Sequence, residues 1–131
     1  LAINDAGIKP DEVDYINTHG TSTPIGDLAE LKAIKDVFAE HAYNISLTSS
    51  KSMTGHLLGG TGAVEAIISI LSMQRGVVTP TINHEEGDED SNIDYKLNFT
   101  FNQAQQRNIH YAMSNNFGFG GHNACLLFKK L

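Results

Sequence analysis

Two short β-rich runs, Val13–Asn17 (VDYIN) and Asn44–Ser49 (NISLTS), each lead through a polar, glycine-containing turn into a helical stretch. This strand–turn–helix alternation constrains the fold more than any other feature of the chain. With a closing series of strand-like runs, it predicts an α/β fold: a mixed β-sheet with packed helices, of βαβαββ type, over residues 1–131 as one domain. The first helix has a start signal in Thr23-Pro24, an N-cap followed by proline at the first helical position. Ile25, Leu28, Leu31, Ile34, Val37 and Phe38 then recur at helical spacing through about His41, with Glu30, Lys32, Lys35 and Asp36 on the polar face. The second helix, Ala63–Met73, is apolar nearly all round and is expected to be buried on most sides. Val77–Asn83 reads as extended, interrupted by Pro80. Tyr95–Phe101, Ile109–Ser114 and Ala124–Lys129 read as strands.

Charge and cysteine content exclude several functions. The formal net charge is −6, which argues against a nucleic-acid surface, since phosphate binding needs clustered Lys and Arg. Much of the excess lies in Glu85, Glu86, Asp88, Glu89 and Asp90. That run reads as a solvated loop, because it lacks the ligand spacing and flanking helices of a calcium loop. Cys125 is the only cysteine, so no internal disulfide can form, and a reducing, cytoplasmic compartment is expected. No basic-then-apolar leader and no apolar stretch of spanning length is present, so no membrane association is expected. Leu1–Gly7 reads as the last turns of a helix ending at a glycine cap. With a start at Leu rather than Met, the N-terminal portion of a longer protein is expected to be missing.

Three polar clusters could carry chemistry: Thr18–Thr23 (THGTST), Lys51–His56 (KSMTGH) and Asn115–Asn123 (NNFGFGGHN). The first two follow predicted strands, where α/β proteins place functional groups, so His19 and His56 could converge. On the residues alone the alternative stays open that these are hydrogen-bonded loop histidines and that the glycines only mark turns. Neither a P-loop nor a dinucleotide fingerprint is present. A zinc site is disfavoured, because neither histidine has close-spaced ligand partners. Cys125, in the last predicted strand, fits a small buried apolar residue.

At these clusters the chain resembles the β-ketoacyl-[acyl-carrier-protein] synthases of the thiolase-like superfamily, and the likeness covers nearly its whole length. THGTSTPIGD (Thr18–Asp27), SKSMTGHLLGGTGAVE (Ser50–Glu65) and NNFGFGGHN occur in that family's order and spacing. A histidine in both of the first two motifs is similar to the elongating, synthase II type; polyketide ketosynthase domains share the pattern. The resemblance implies the C-terminal half of such an enzyme, supplying two active-site histidines but not the nucleophilic cysteine. The implied reaction is decarboxylative Claisen condensation of malonyl-acyl-carrier-protein with an enzyme-bound acyl thioester, in fatty-acid elongation.

The resemblance also implies roles for individual residues. His19 and His56 would donate hydrogen bonds to the developing enolate oxygen, with Lys51 beside them and Glu65 as its partner. Asp27 would be a supporting residue. Phe119 would be the gate of the acyl pocket, with Phe117 packing nearby, and Thr21 and Thr23 would face the phosphopantetheine arm. No metal and no cofactor beyond that arm is implied. Acyl carrier protein is the implied partner, and homodimer contacts would lie mainly in the absent half. Gly60-Thr61 stands where an alanine pair is commoner, and His122 where threonine is commoner. A non-catalytic chain-length partner subunit is the competing reading. For the chain alone, no condensing activity and some exposed apolar surface are expected.

Overall fold

Val13, Tyr15, Ile16 and Asn17 have no exposed surface, nor do Ile45 and Ser46. A parallel strand covered on both faces gains nothing from polar alternation, which is why VDYIN and NISLTS read as near-continuous runs. In the computed structural model, which describes residues 1–131, they form β1 (Tyr15–Asn17) and β2 (Ser46–Thr48). The remaining elements are α1 (Ala2–Asp5), α2 (Pro24–Phe38), α3 (Lys51–Thr54), α4 (Thr61–Arg75), β3 (Val77–Val78), β4 (Gln105–Gln106), β5 (Tyr111–Gly118) and β6 (His122–Lys129).

The main sheet has the order β2-β1-β5-β6. β1 pairs in parallel with β2 and with β5, and β5 pairs antiparallel with β6. With α2 and α4 as the two long helices, this is the mixed βαβαββ arrangement expected. β3 and β4 form a separate antiparallel ladder. Side-chain alternation distributes the core over both faces of the sheet. Ile16, Leu47 and Met113 pack with Ile34 and Phe38 of α2. Their neighbours Tyr15 and Ala112 point the other way and pack with Met73 of α4.

Helix ends follow local chemistry. Thr23 is extended and Pro24 opens α2, as read from the sequence, although the Thr23 hydroxyl makes no capping bond. The helix stops at Phe38, short of His41, because Ala39 adopts φ +48° and the chain tightens into a 3-10 turn over Ala39–Asn44. Gly76, at φ +65°, ends α4 in the left-handed conformation that glycine adopts without strain. α1 ends just before Gly7, which takes φ +66°.

Three expectations fail. Tyr95–Phe101 is not a strand. It touches β2 through the single bridge Leu47–Phe99, with a second bridge from Phe101 to Thr81. Its period-two pattern instead aligns Tyr95, Phe99 and Phe101 into an aromatic cluster that includes His84, stacked 4.0 Å from Phe101. α4 is not buried on most sides: its inward stripe is Thr61, Glu65, Ser69 and Ser72, while Ile67 is 57% and Leu71 39% exposed. Cys125 is exposed rather than buried, because β6 is the edge strand and its Cys125 stretch is uncovered. The acidic run is an exposed turn, as expected, held by bonds such as Glu85 N–H to Asp88 Oδ2 at 2.9 Å. No helix is long and apolar enough to cross a membrane.

The isolated chain should therefore bind a hydrophobic dye and self-associate with rising concentration, and the double substitution Ile67→Gln, Leu71→Gln should reduce both. Dye fluorescence and sedimentation velocity check this; equal behaviour of the two proteins would contradict it.

Candidate active site

The parallel strands bring the polar turns together. Asn17 lies in register with Thr48 on one side and Ser114 on the other. The residues that follow β1 and β2, and the second half of β5, therefore leave the sheet at one edge. Side chains buried there include Asn17, Thr18, Ser50, Lys51, Ser114 and Asn115. Buried polar groups need partners, and all of these but Ser114, whose hydroxyl has none, find one through their side chains.

His19 is positioned through its backbone. Glu30 of α2, only 4% exposed, accepts the His19 N–H at 2.9 Å with Oε1 and the Gly20 N–H at 3.0 Å with Oε2. Asn115 Nδ2 donates to the same Oε1 at 3.1 Å. Burial, set against these donors, leaves the Glu30 carboxyl above its usual range. Gly20 has φ +34°, and a Cβ there would lie 2.7 Å from Thr18 Oγ1 and 2.8 Å from Ser49 Cβ, so the turn requires glycine. The His19 ring packs against Phe117 at 5.4 Å between centroids. Its Nδ1 is buried without a partner.

His56 follows α3, beyond Gly55 at φ +70°. Its Nδ1 takes the Leu58 N–H at 3.0 Å and contacts Thr61 Oγ1 at 3.1 Å. A backbone N–H can only donate, so Nδ1 is the unprotonated nitrogen and the neutral ring carries its proton on Nε2. The two imidazoles stand edge to face, 5.7 Å apart at 86°. Desolvation, then the Lys51 charge and the neighbouring His56, lower the His19 pKa from 6.5 to about 4. At neutral pH His19 is thus an uncharged imidazole beside a cation.

That cation is held by a carboxylate. Lys51 Nζ donates to Glu65 Oε1 at 2.5 Å, with both side chains buried. Ser50 Oγ reaches the same oxygen at 3.3 Å, and Asn116 Nδ2 donates to Oε2 at 3.2 Å. A cleft of ≈ 740 Å³ opens beside Lys51 and His56, lined also by Thr21, Thr23, Asp27 and the aromatic cluster. Thr21 and Thr23 share a hydroxyl–hydroxyl bond of 3.2 Å. Burial raises the Asp27 carboxyl, partly offset by nearby backbone donors and by Lys51.

Of the residues singled out in the sequence, His19, His56, Lys51, Glu65 and Phe117 come together, and Asp27, Thr21 and Thr23 line the adjoining cleft. Phe119 does not join them: it sits at the β5–β6 turn, 96% exposed. Sequence reasoning missed Glu30, placing it on the polar face. The signal was present, because Glu30 lies four and eight residues before the buried Ile34 and Phe38. It also missed Asn115 and Asn116, and the Thr61 contact. Cys125 Sγ is tucked against Asn115 Oδ1 at 3.0 Å although the residue as a whole is exposed. That partial burial, with the Glu30 charge, pushes its thiol up, away from nucleophilic thiolate.

A neutral imidazole thus stands beside a second imidazole that carries its proton on Nε2, with a buried lysine–carboxylate pair next to them at the ends of parallel strands. Residues 1–85 match the family of β-ketoacyl synthase C-terminal domains, and the chain belongs to that family. It is 54% identical to the 3-oxoacyl-[acyl-carrier-protein] synthase 2 of Staphylococcus aureus (strain COL), over 98% of this chain and 30% of that protein. Among solved structures, a β-ketoacyl synthase from Burkholderia phymatum STM815 superimposes with a TM-score of 0.90 at 38% identity, covering 100% of this chain and 31% of that one. A type II polyketide ketosynthase, solved with its acyl-carrier protein and bound to the hexaketide, gives 0.92 at 35% identity, over 99% and 31%. The fold is thus that of the thiolase-like ketosynthases, and the chain spans about a third of the length of these relatives.

Because the folded His19 takes up its proton only near pH 4, whereas an unfolded one does so near 6.5, the unfolded state binds more protons between these values. The stability associated with His19 should be complete above pH 6.5 and decline as pH falls toward 4. Thermal unfolding across this range should show the native protein losing ground to a His19→Gln variant; parallel curves would contradict the assignment.

Proposed function

We propose that this chain supplies the two hydrogen-bond donors of an elongating 3-oxoacyl-[acyl-carrier-protein] synthase acting in fatty-acid synthesis. The observation that carries the reading is the edge-to-face pair of His19 and His56, with His56 held as the Nε2–H tautomer. In decarboxylation, the bond between the malonyl α-carbon and its carboxylate breaks and carbon dioxide leaves. The electron pair passes into the thioester, placing negative charge on its oxygen. Two neutral imidazole N–H groups stabilise that oxygen without surrendering a proton. The carbanion then attacks the acyl thioester on a cysteine lying outside this chain, expelling the thiolate and giving a 3-oxoacyl product longer by two carbons.

The other residues follow from this arrangement. Lys51, committed to Glu65, acts as a fixed positive charge that keeps His19 neutral and braces the turn bearing His56, rather than as a proton donor. Asp27, Thr21 and Thr23 border the cleft, and the two threonines suit the amides of a phosphopantetheine arm delivered by acyl carrier protein. No metal or other cofactor is required. Phe119, exposed on its turn, would serve as the gate once the remainder of the enzyme covers it. That remainder would also cover Ile67 and Leu71, provide the homodimer contacts and operate in the cytoplasm. Likeness to a polyketide ketosynthase favours a second reading, a ketosynthase or non-catalytic chain-length factor of a polyketide system. The residue at the nucleophile position decides whether the subunit is catalytic; intact histidines and an intact Lys51–Glu65 pair favour the enzyme.

In the full-length protein, His56→Ala should slow malonyl-carrier-protein decarboxylation about a hundred- to a thousandfold while affecting acyl loading less. Normal condensation by that variant would overturn the reading. The 131-residue chain assayed alone should not condense, having no covalent acyl carrier at the reacting centre.

A further inference from the structure

We infer that Thr61 is a positioning residue for His56, its hydroxyl holding the ring in the orientation that presents Nε2–H. Thr61 was singled out in the sequence as a departure from a commoner alanine. It is the first residue of α4 and is buried. Its Oγ1 lies 3.1 Å from His56 Nδ1. Since Nδ1 already accepts the Leu58 N–H at 3.0 Å, it carries a lone pair, and the hydroxyl can only donate to it. The same nitrogen thus has two partners: the Leu58 N–H, which can only donate, sets the tautomer, and the Thr61 hydroxyl gives the ring a second hold.

The two donors differ in how firmly they are held. Leu58 lies on an exposed 3-10 turn, Leu58–Gly60, and adopts φ +52°, a strained value for a residue with a side chain. By itself it is a weak anchor. Thr61 belongs to a fifteen-residue helix whose next inward residue, Glu65, grips Lys51. One stripe of α4 therefore fixes the charge beside His19 and the ring of His56. A donor mounted on a helix holds a functional ring more precisely than one on a loop.

This inference rests on the functional reading above, so its test has a readout independent of catalysis. In full-length protein labelled with 15N-histidine, solid-state spectra should show His56 with an unprotonated Nδ1 and a protonated Nε2, assigned by loss of the signals in His56→Ala. Thr61→Val keeps the shape and removes the hydroxyl. It should shift the Nδ1 signal, as an acceptor that has lost one of its two partners, and lower kcat about threefold to tenfold, with KM for malonyl-carrier-protein nearly unchanged. Thr61→Ser should restore both. An unchanged spectrum or an unchanged kcat in Thr61→Val would overturn the inference, as would a Thr61→Ser protein that behaves like Thr61→Val. Full condensation by His56→Ala would instead overturn the functional reading, whatever the Thr61 spectra show.

Discussion

The ion pair between Lys51 and Glu65 is the interaction on which the rest of the site depends. Glu65 is 1% exposed, and a carboxylate so placed is tolerable only if its charge is matched and its lone pairs are filled. Lys51 and Ser50 fill one oxygen and Asn116 the other. These donors come from the turn after β2 and from β5, so satisfying one buried charge ties α4 to two separate segments of the site. Removing either member of such a pair typically costs about 3–5 kcal/mol, because the other is left buried and unmatched. Glu30 plays the corresponding part for α2, joining the turn after β1 to Asn115 on β5. Each face of the sheet thus sends one buried carboxylate to the same edge, and between the two the histidine turns are held.

This arrangement gives the histidines different environments. His19 is fixed through its backbone and shielded by Phe117, with the Lys51 charge nearby. Desolvation and that charge both act against protonation, so the ring remains a neutral donor. His56 is fixed through its ring, by donors on Nδ1. The site therefore controls the protonation of one imidazole by electrostatics and the tautomer of the other by hydrogen bonding. The first device rests on Lys51, which is committed to Glu65, and the second on the two partners of Nδ1.

Much of this was legible in the sequence. VDYIN and NISLTS announced strands because a strand buried on both faces is a continuous β-rich run, and the polar turns after them announced the site. What escaped was the inner face of each helix. Spacing rules assume that polar residues face water, so Glu30 was assigned outward although it shares a stripe with Ile34 and Phe38. α4 reads as apolar nearly all round, but Thr61, Glu65, Ser69 and Ser72 face the sheet together with Met73, while Ile67 and Leu71 face outward. Tyr95–Phe101 misled for a related reason. Its alternation records one-sided aromatic packing, and only Leu47 of the sheet is near enough to bridge to it. Asn115 and Asn116 resembled turn residues, yet both lie within β5, where their amides answer carboxylates far away in the sequence.

The placement of α4 follows from what its two faces must do. An inward aliphatic stripe would have packed the sheet well but left Lys51 without a partner and the His56 ring without its helical donor. Thr61 and Glu65 are four residues apart and so lie one above the other on a single stripe, and their polar atoms can reach adjacent turns only if that stripe faces the sheet's functional edge. Met73 and Ile70 still pack inward, but Ile67 and Leu71 are displaced to the opposite side, where they lie exposed. An exposed apolar patch on one side and a polar stripe that reaches Lys51 and His56 on the other are thus two consequences of one placement.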